Sequence, residues 1–205
     1  MRIIITRRLY INESRIRSVN HDWKGKNAKR WLDVSLGEEL FNERQHANEI
    51  LFEYNSLHPK EVEKRMELLR GLFGESPEEF FIEQPFKCAY GYNIHWGEKS
   101  FANYNCTIID SGRVTIGKNV MIGPNVNIFT ANHALAIKDR MAGLEYADPV
   151  DIGDGVWIGG GTTINPGVKI GKNSVIGSGS VVTKSIPENV LAVGNPCRVI
   201  KKLDK

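Results

Sequence analysis

The chain has 205 residues, of which 41% are hydrophobic and 25% are charged, a composition typical of one globular unit with at most a small appendage. No run approaches the roughly 20 apolar residues that a membrane-spanning helix needs, so no membrane partner is expected. The formal net charge of +3 is too small to indicate a nucleic-acid partner. The three cysteines Cys88, Cys106 and Cys197 are widely spaced, which fits neither a disulfide framework nor a zinc site. They indicate a cytoplasmic protein without a bound metal.

Residues 39–78 carry two apolar patterns with the spacing of an amphipathic helix, whereas residues 1–38 show no clear period. The second pattern opens at Pro59, a residue favoured in a first helical turn, and closes on Gly74. We therefore assign 1–38 as an N-terminal extension and 39–78 as a helical cap. The apolar positions of the two expected helices are Leu40, Ala47, Ile50, Leu51 and Tyr54, followed by Val62, Met66, Leu69 and Phe73.

The second half of the sequence repeats every six residues. Six fits neither the 3.6-residue period of a helix nor the two-residue alternation of a long strand, so each unit is expected to hold a short β segment and a tight turn. Three units would form one triangular coil, and stacked coils would bury their aliphatic side chains in one column. The pattern predicts an all-β fold, a parallel β-helix over residues 79–203 that ends in a C-terminal tail. The aliphatic positions at this spacing are Ile152, Ile158, Ile164, Ile170, Ile176 and Val182.

One segment, residues 131–149, interrupts the repeat. The six-residue frame runs through Ile122 and Ile128 before the interruption, and Ile128 lies four sixes before Ile152, so the frame is preserved. The segment is therefore expected to be an inserted loop that the coil tolerates, and it can project over a cleft between neighbouring β-helices without disturbing the core. It carries His133, which is either a candidate general base or a solvated loop histidine.

Residues 150–203, from "VDIGDGVWIGGGTTINPGVKIG" to "GNPCRVIKKL", resemble the hexapeptide-repeat acyltransferases. Residues 39–203 are similar to one branch of these enzymes, the maltose/galactoside (nodulation-type) O-acetyltransferases. The stretches that carry this similarity are "NERQHANEILFEYN", "HPKEVEKR", "YGYNIHWGEKSFANYNCTIID" and "IGPNVNIFTANHAL". The resemblance implies a left-handed β-helix, a homotrimer with sites between subunits, and acetyl-CoA as cosubstrate. It also implies O-acetylation of a hydroxyl on a small sugar or related acceptor, with the helical cap on the acceptor side.

His133, Asn103 and Gly160 match the residues that this branch uses in catalysis. The resemblance makes His133 the general base, because a sugar hydroxyl is a poor nucleophile and a neutral imidazole can accept its proton during attack on the thioester. Asn103 would contact the reacting groups from the facing wall, although asparagine also suits a turn of the coil. The backbone N–H of Gly160 would meet the oxyanion.

A second set of positions matches the residues that bind coenzyme A in this branch. Polar side chains in the set can contact the amides of the pantetheine arm, and its cations can meet the phosphates through charge-assisted hydrogen bonds. The alternative for the cations is that they only solubilise the C-terminal region. The set consists of Asn103, Trp157, Gly160, Ser178, Thr183, Lys184, Arg198 and Lys201.

The acceptor end of the site departs from the galactoside branch. Ala89 stands where that branch has a serine, Ser111 stands where it has an aspartate, and Glu145 lies near the position of a sugar-contacting methionine. Arg44, in the helical cap, and Phe101 match positions near the acceptor. These five residues are the expected substrate contacts, and the departures leave the identity of the sugar open.

Three other functions are compatible with the same scaffold. A xenobiotic (antibiotic) O-acetyltransferase would share the base and the donor, although the helical front block favours the sugar branch. A β-helix with a decayed site would bind without catalysing a reaction, and the retained histidine, asparagine and basic C-terminal residues argue against it. A zinc enzyme of the carbonic-anhydrase kind needs three converging histidines, and only His95 and His133 lie in the repeat region.

Overall fold

The structure, a computed structural model, describes residues 31–32, 37–143 and 145–204. Among these residues short strands dominate, and three helices accompany them, none of which is long and apolar enough to cross a membrane. The helices are α1 (Gly37–Ser56), α2 (Val62–Leu72) and α3 (Ile137–Met141). The strands are β1 (Trp31–Leu32), β2 (Phe81–Ile82), β3 (Phe86–Cys88), β4 (Ile94–Trp96), β5 (Phe101–Ala102), β6 (Cys106–Ile109), β7 (Val114–Ile116), β8 (Met121–Ile122), β9 (Asn127–Phe129), β10 (Ala131–His133), β11 (Glu145–Ala147), β12 (Val150–Ile152), β13 (Trp157–Ile158), β14 (Thr163–Ile164), β15 (Lys169–Ile170), β16 (Val175–Ile176), β17 (Val181–Val182), β18 (Val190–Val193) and β19 (Arg198–Lys202).

Most of the strands form the three faces of a triangular parallel β-helix. Each turn of the chain visits sheet 1, then sheet 2, then sheet 3, and six parallel strands in sheet 1 mark the successive turns. The first corner connects sheet 1 to sheet 2, the second corner connects sheet 2 to sheet 3, and the third corner connects sheet 3 to sheet 1. Sheet 1 contains β2, β5, β8, β13, β16 and β18, with β19 antiparallel at its edge. Sheet 2 contains β3, β6, β9, β14 and β17, and sheet 3 contains β4, β7, β12 and β15.

The aliphatic residues predicted to point inward form the core. Each of the six, from Ile152 to Val182, is at most 2% exposed. Successive turns stack them directly, because Ile122, Ile158 and Ile176 are register partners in sheet 1. Burying one such side chain stabilises the fold by about 1.5–3 kcal/mol, and a single coil would leave its inward residues uncovered on both sides. The predicted parallel β-helix is therefore confirmed.

The turns of the β-helix differ in length only at the second corner. From sheet 2 to sheet 3 the chain advances six residues between Ile164 and Ile170, eight in each of the first two turns, and twenty-four between Ile128 and Ile152. The first and third corners keep a six-residue step between inward residues in every turn from β2 to β17. The 131–149 excursion thus leaves from the one corner where chain length varies.

The two helices of the cap close the N-terminal end of the β-helix. The Tyr54 hydroxyl donates to the Ile82 carbonyl at 2.7 Å, and the buried guanidinium of Arg65 donates to the same carbonyl at 3.0 Å. Two details of the sequence prediction are wrong here. α2 begins at Val62 rather than at Pro59, and Val62 is 42% exposed, because it stands at the free N-terminal end of the helix.

The 131–149 excursion contains secondary structure that the sequence did not predict. β10 and β11 pair as an antiparallel hairpin, and α3 lies between them in the sequence. β1, which belongs to the N-terminal extension, pairs with the free edge of β11 and adds a third strand. The last two residues of that extension, 37–38, form the start of α1, and residues 1–30 and 33–36 lie outside the described residues.

Candidate active site

His133 lies at the second corner, on the strand that follows β9. Its Nδ1 atom is 3.4 Å from Oε1 of Glu145, its register partner on β11. The two side chains remain 62% and 44% exposed, so the ion pair by itself contributes little to stability. The contact instead orients the imidazole of His133, because a ring whose Nδ1 faces the carboxylate presents Nε2 on its other side.

One face of the β10–β11 hairpin packs toward the β-helix at this corner. Alternate side chains of a strand share a face, so Ala147 lies on the same face of the hairpin as His133 and Glu145. A Cβ atom added to Gly112 would stand 3.0 Å from the Cβ atom of Ala147. The face that carries the candidate base therefore meets the turn after β6, which contains Ser111.

Four of the five predicted acceptor residues lie at this same corner. Ala89 follows β3 and Ser111 follows β6, in successive turns, and both are partly buried. Arg44 reaches the corner from α1, where its guanidinium donates to the Tyr90 hydroxyl at 2.8 Å and lies 5.7 Å from the centre of that ring. Glu145 completes the group through its contact with the candidate base.

Sequence reasoning missed the aromatic side chains beside Ala89. The rings of Tyr90 and Tyr92 lie with centroids 5.4 Å apart, and the Tyr92 hydroxyl donates to Glu43 at 2.7 Å. Burial, reinforced by this carboxylate, raises the pKa of Tyr92, so the hydroxyl keeps its proton and remains a donor. Both tyrosines stand in "AYGYN", between the inward positions of the repeat, so the six-residue pattern carries no signal for them.

Phe101, Asn103 and Gly160 lie elsewhere in the same chain. Phe101 projects outward from sheet 1, where its ring stacks on that of Phe81 at 6.2 Å. Asn103 follows β5 and Gly160 follows β13, so both lie at the first corner, and sheet 2 separates them from His133. Within the described part of the chain, the Gly160 N–H donates to no acceptor. One chain alone therefore does not bring these three residues to the candidate base.

The residues expected to bind coenzyme A are also divided over the surface. Trp157 and Lys201 lie in one outward row of sheet 1, and Arg198 lies on the same edge strand as Lys201. Ser178 lies at the first corner, whereas Thr183 and Lys184 follow β17 at the second corner. The six side chains, all exposed, are those of Trp157, Ser178, Thr183, Lys184, Arg198 and Lys201.

Sheet 1 has an apolar central row on its outward surface, whereas the corresponding rows of the other two sheets are mostly polar. Met121 and Trp157 in its central row are 53% and 51% exposed. Large apolar side chains that are contiguous on a surface often mark a contact with another protein. The row consists of Phe81, Phe101, Met121, Trp157, Val175 and Leu191, and it ends at Lys201 on the edge strand. The corresponding rows are His95, Thr115, Asp151 and Lys169 on sheet 3, and Lys87, Thr107, Asn127, Thr163 and Val181 on sheet 2.

Two open depressions on the single chain do not coincide with the predicted site. One lies over sheet 3 and the third corner, and the other lies beside the C-terminal strand. Neither is lined by a predicted site residue, and Lys169 in the first already pairs with Asp151 at 2.9 Å. We therefore assign the site by the chemistry of the second corner and not by concavity.

Comparison with known proteins relates both parts of the chain to one family. Residues 33–77 match the maltose acetyltransferase hexapeptide capping motif, and residues 149–184 match the bacterial transferase hexapeptide repeat. The galactoside O-acetyltransferase of Escherichia coli K12 is 47% identical over 173 residues, which cover 84% of this chain and 85% of that protein. This chain belongs to the hexapeptide-repeat acetyltransferases.

Solved structures of acetyltransferases in this family share the fold. A maltose O-acetyltransferase from Clostridium difficile 630 is 49% identical, with a TM-score of 0.84 over 86% of this chain and 94% of that one. A galactoside acetyltransferase in complex with coenzyme A is 43% identical, with a TM-score of 0.79 over 86% of this chain and 88% of that one. The left-handed β-helix and the maltose/galactoside branch implied by the resemblance are confirmed.

Proposed function

We propose that this protein transfers the acetyl group of acetyl-CoA to a hydroxyl of a small sugar or related acceptor, with His133 as the general base. The observation that supports this is the second corner, where His133 contacts Glu145 and where Ala89 and Ser111 also lie, each on a separate segment. The coenzyme A bound to a related galactoside acetyltransferase supports the choice of donor. The proposal places the reaction in the cytoplasm, in keeping with three cysteines that are free and buried.

In the proposed reaction, His133 Nε2 accepts the proton of the acceptor hydroxyl while the hydroxyl oxygen attacks the thioester carbonyl carbon. Glu145, beside Nδ1, favours the tautomer that carries its proton on Nδ1 and stabilises the imidazolium that forms. When the tetrahedral intermediate collapses, the C–S bond breaks and the imidazolium returns its proton to the departing thiolate. The products are an acetyl ester and free coenzyme A, and the base is regenerated.

We infer that a second copy of the chain completes the site, in a homotrimer. Asn103 and Gly160 lie at the first corner and His133 at the second, so the first corner of one subunit would meet the second corner of its neighbour. The apolar row on sheet 1 suits such a contact, and a head-to-tail contact can close into a ring of three. Across that interface Asn103 would hydrogen-bond the reacting groups, and the Gly160 N–H would stabilise the oxyanion.

The same interface would hold the donor. Trp157 and the edge-strand cations Arg198 and Lys201 lie on or beside the apolar row, whereas Thr183 and Lys184 lie at the second corner. A groove between two subunits would bring these two groups to opposite walls. The exposed cations could then meet phosphates through charge-assisted hydrogen bonds, and the polar side chains could contact the pantetheine amides.

The test of the mechanism measures thiol release from acetyl-CoA with a panel of sugars. We expect His133→Ala to lower kcat by about 10²–10⁴-fold, with coenzyme A binding retained in calorimetry. His95→Ala is the matched control, because His95 also pairs with a glutamate, Glu75 at 3.2 Å, but on sheet 3. Unchanged turnover in His133→Ala would refute the mechanism, and equal losses in both variants would attribute the effect to folding.

The acceptor is proposed only as a class. Ala89 and Ser111 leave the corner without the serine and aspartate of the galactoside branch, and Glu145 already contacts His133. The capping-motif match over 33–77 supports a sugar rather than an antibiotic. Preferential acetylation of an antibiotic in a mixed panel would reverse this ranking, and failure to bind coenzyme A would favour a non-catalytic β-helix.

A further inference from the structure

One buried carboxylate at the acceptor corner takes no part in the proposed reaction. Asp110, which directly precedes Ser111, is 0% exposed. Its Oδ1 accepts hydrogen bonds from the N–H groups of Ala89 and Tyr90, both at 2.9 Å, and its Oδ2 accepts one from the N–H of Gly91 at 2.7 Å. Three successive amides of one turn therefore converge on a single carboxylate of the next turn.

The anchored turn is held from two further directions. The side-chain amide of Asn93 donates to the main-chain carbonyl of Asp110 at 2.7 Å, so the end of the turn is tied to the same residue. Gly91 has a φ of +83°, and a Cβ atom there would come within 2.4 Å of Cγ of Leu72 on α2, so only glycine fits between the carboxylate and the helical cap.

A charge is not needed merely to stack two turns at this corner. One turn later, the corner residue Thr130 links the turns with a neutral hydroxyl, which donates to the Ile109 carbonyl at 2.7 Å and accepts from the Gly112 N–H at 2.8 Å. A buried carboxylate is costly unless its lone pairs are used. Burial raises the pKa of Asp110, and the amide bonds oppose that rise by favouring the charged form. The charge occurs where the turn beneath carries Ala89 and Tyr90.

We propose that Asp110 is a positioning residue for the acceptor, an inference that rests on the proposed function. By holding the amides of residues 89–91, it sets where Ala89 and the Tyr90 ring lie. Through the Tyr90 hydroxyl it also sets where the Arg44 guanidinium lies. Asp110 is fully buried and so does not touch the acceptor itself. Removing its carboxylate should therefore weaken the use of the acceptor and leave the binding of acetyl-CoA unchanged.

The kinetic test is Asp110→Asn, which keeps the shape of the side chain but turns a donor toward one of the converging amides. Leaving a buried amide without its acceptor costs enough to lower kcat/KM for the acceptor about tenfold or more, while KM for acetyl-CoA stays within about twofold. Asp154→Asn is the matched control, because Asp154 also accepts from an amide of a neighbouring turn, that of Lys118 at 2.7 Å, but at the third corner. A change in KM for acetyl-CoA as large as the loss in kcat/KM for the acceptor would overturn the inference. So would an unchanged kcat/KM for the acceptor.

Hydrogen–deuterium exchange adds a readout that does not depend on activity. The amides of residues 89–91 should exchange about tenfold faster or more in Asp110→Asn, and at the wild-type rate in Asp154→Asn. If Asp110→Asn does not fold, Asn93→Leu removes only the bond to the Asp110 carbonyl and should show the same changes at a smaller size. Unchanged exchange in the folded variant would overturn the inference. If exchange responds but the wild-type protein acetylates no sugar, the proposed function fails while the anchoring of this turn is supported.

Discussion

Met121 allows a quantitative prediction about assembly. Burying a whole methionine side chain contributes about 1.5–3 kcal/mol, and Met121 is 53% exposed, so covering its exposed part would contribute about 1 kcal/mol at each interface. In Met121→Glu that gain is lost and a carboxylate must be desolvated, which costs several kcal/mol more. Over the three interfaces of a trimer the loss reaches about 10 kcal/mol, and every 1.4 kcal/mol is about tenfold in an equilibrium constant. We therefore expect Met121→Glu to be monomeric at micromolar concentrations.

Sedimentation equilibrium with a parallel activity assay would decide the matter. The wild-type protein should have the mass of three 23.0 kDa chains, and Met121→Glu should have the mass of one and lose activity, because His133 would no longer face a neighbour's Asn103. Thr115→Glu is the control, since Thr115 holds the corresponding outward position on sheet 3. A Met121→Glu protein that remains trimeric, or a monomer that retains full activity, would refute the reasoning about sheet 1.

Three further predictions concern the core, a buried thiol and the partner of the base. Ile164→Ala removes a side chain that is 0% exposed and should lower the free energy of unfolding by about 2–5 kcal/mol in a urea titration. Val181→Ala is the comparison, because Val181 is half-buried and is the register partner of Thr163 on the outward side of the same sheet. It should lower the free energy of unfolding by less than Ile164→Ala does, and the reverse order would contradict the inward column. Burial raises the pKa of Cys106 to about 11, so at pH 8 a thiol reagent should modify Cys106 on the order of 100-fold more slowly in the folded protein than in the urea-unfolded chain. Equal rates at Cys106 would show that its thiol is accessible in the folded protein. Glu145→Gln should lower kcat only about fivefold, because an exposed ion pair is worth at most about 1 kcal/mol, and a loss above about 100-fold would mean that Glu145 does more than orient His133.

The core could be predicted from the sequence because one simple period controls it. A residue such as Ile158 must be aliphatic, since it is covered by Ile122 on one side and Ile176 on the other. That requirement recurs every six residues and is visible without any knowledge of the turns. The preserved frame between Ile128 and Ile152 likewise indicated an insertion that leaves the inward column undisturbed, and both residues are at most 2% exposed.

The arrangement of the site could not be predicted in the same way. Glu145 faces His133 through an antiparallel pairing inside a segment that has no period, and a long connection does not set the register of a hairpin. Counting sixes backward from Ile128 also fails at the second corner, which takes eight residues in the first two turns. The sequence therefore contains the candidate residues but not the fact that Asn103 and His133 lie at different corners.

Because only the second corner varies in length, the residues that stabilise this fold are separate from those that would choose the acceptor. Whatever the length of that corner, the inward side chains keep a six-residue step at the first and third corners in every turn from β2 to β17. The residues that would choose the acceptor lie on the variable corner, outside the aliphatic column. Insertions there, and substitutions of its exposed residues, can alter which molecule is modified without disturbing the aliphatic column. Substrate choice and thermal stability can therefore evolve independently in this molecule.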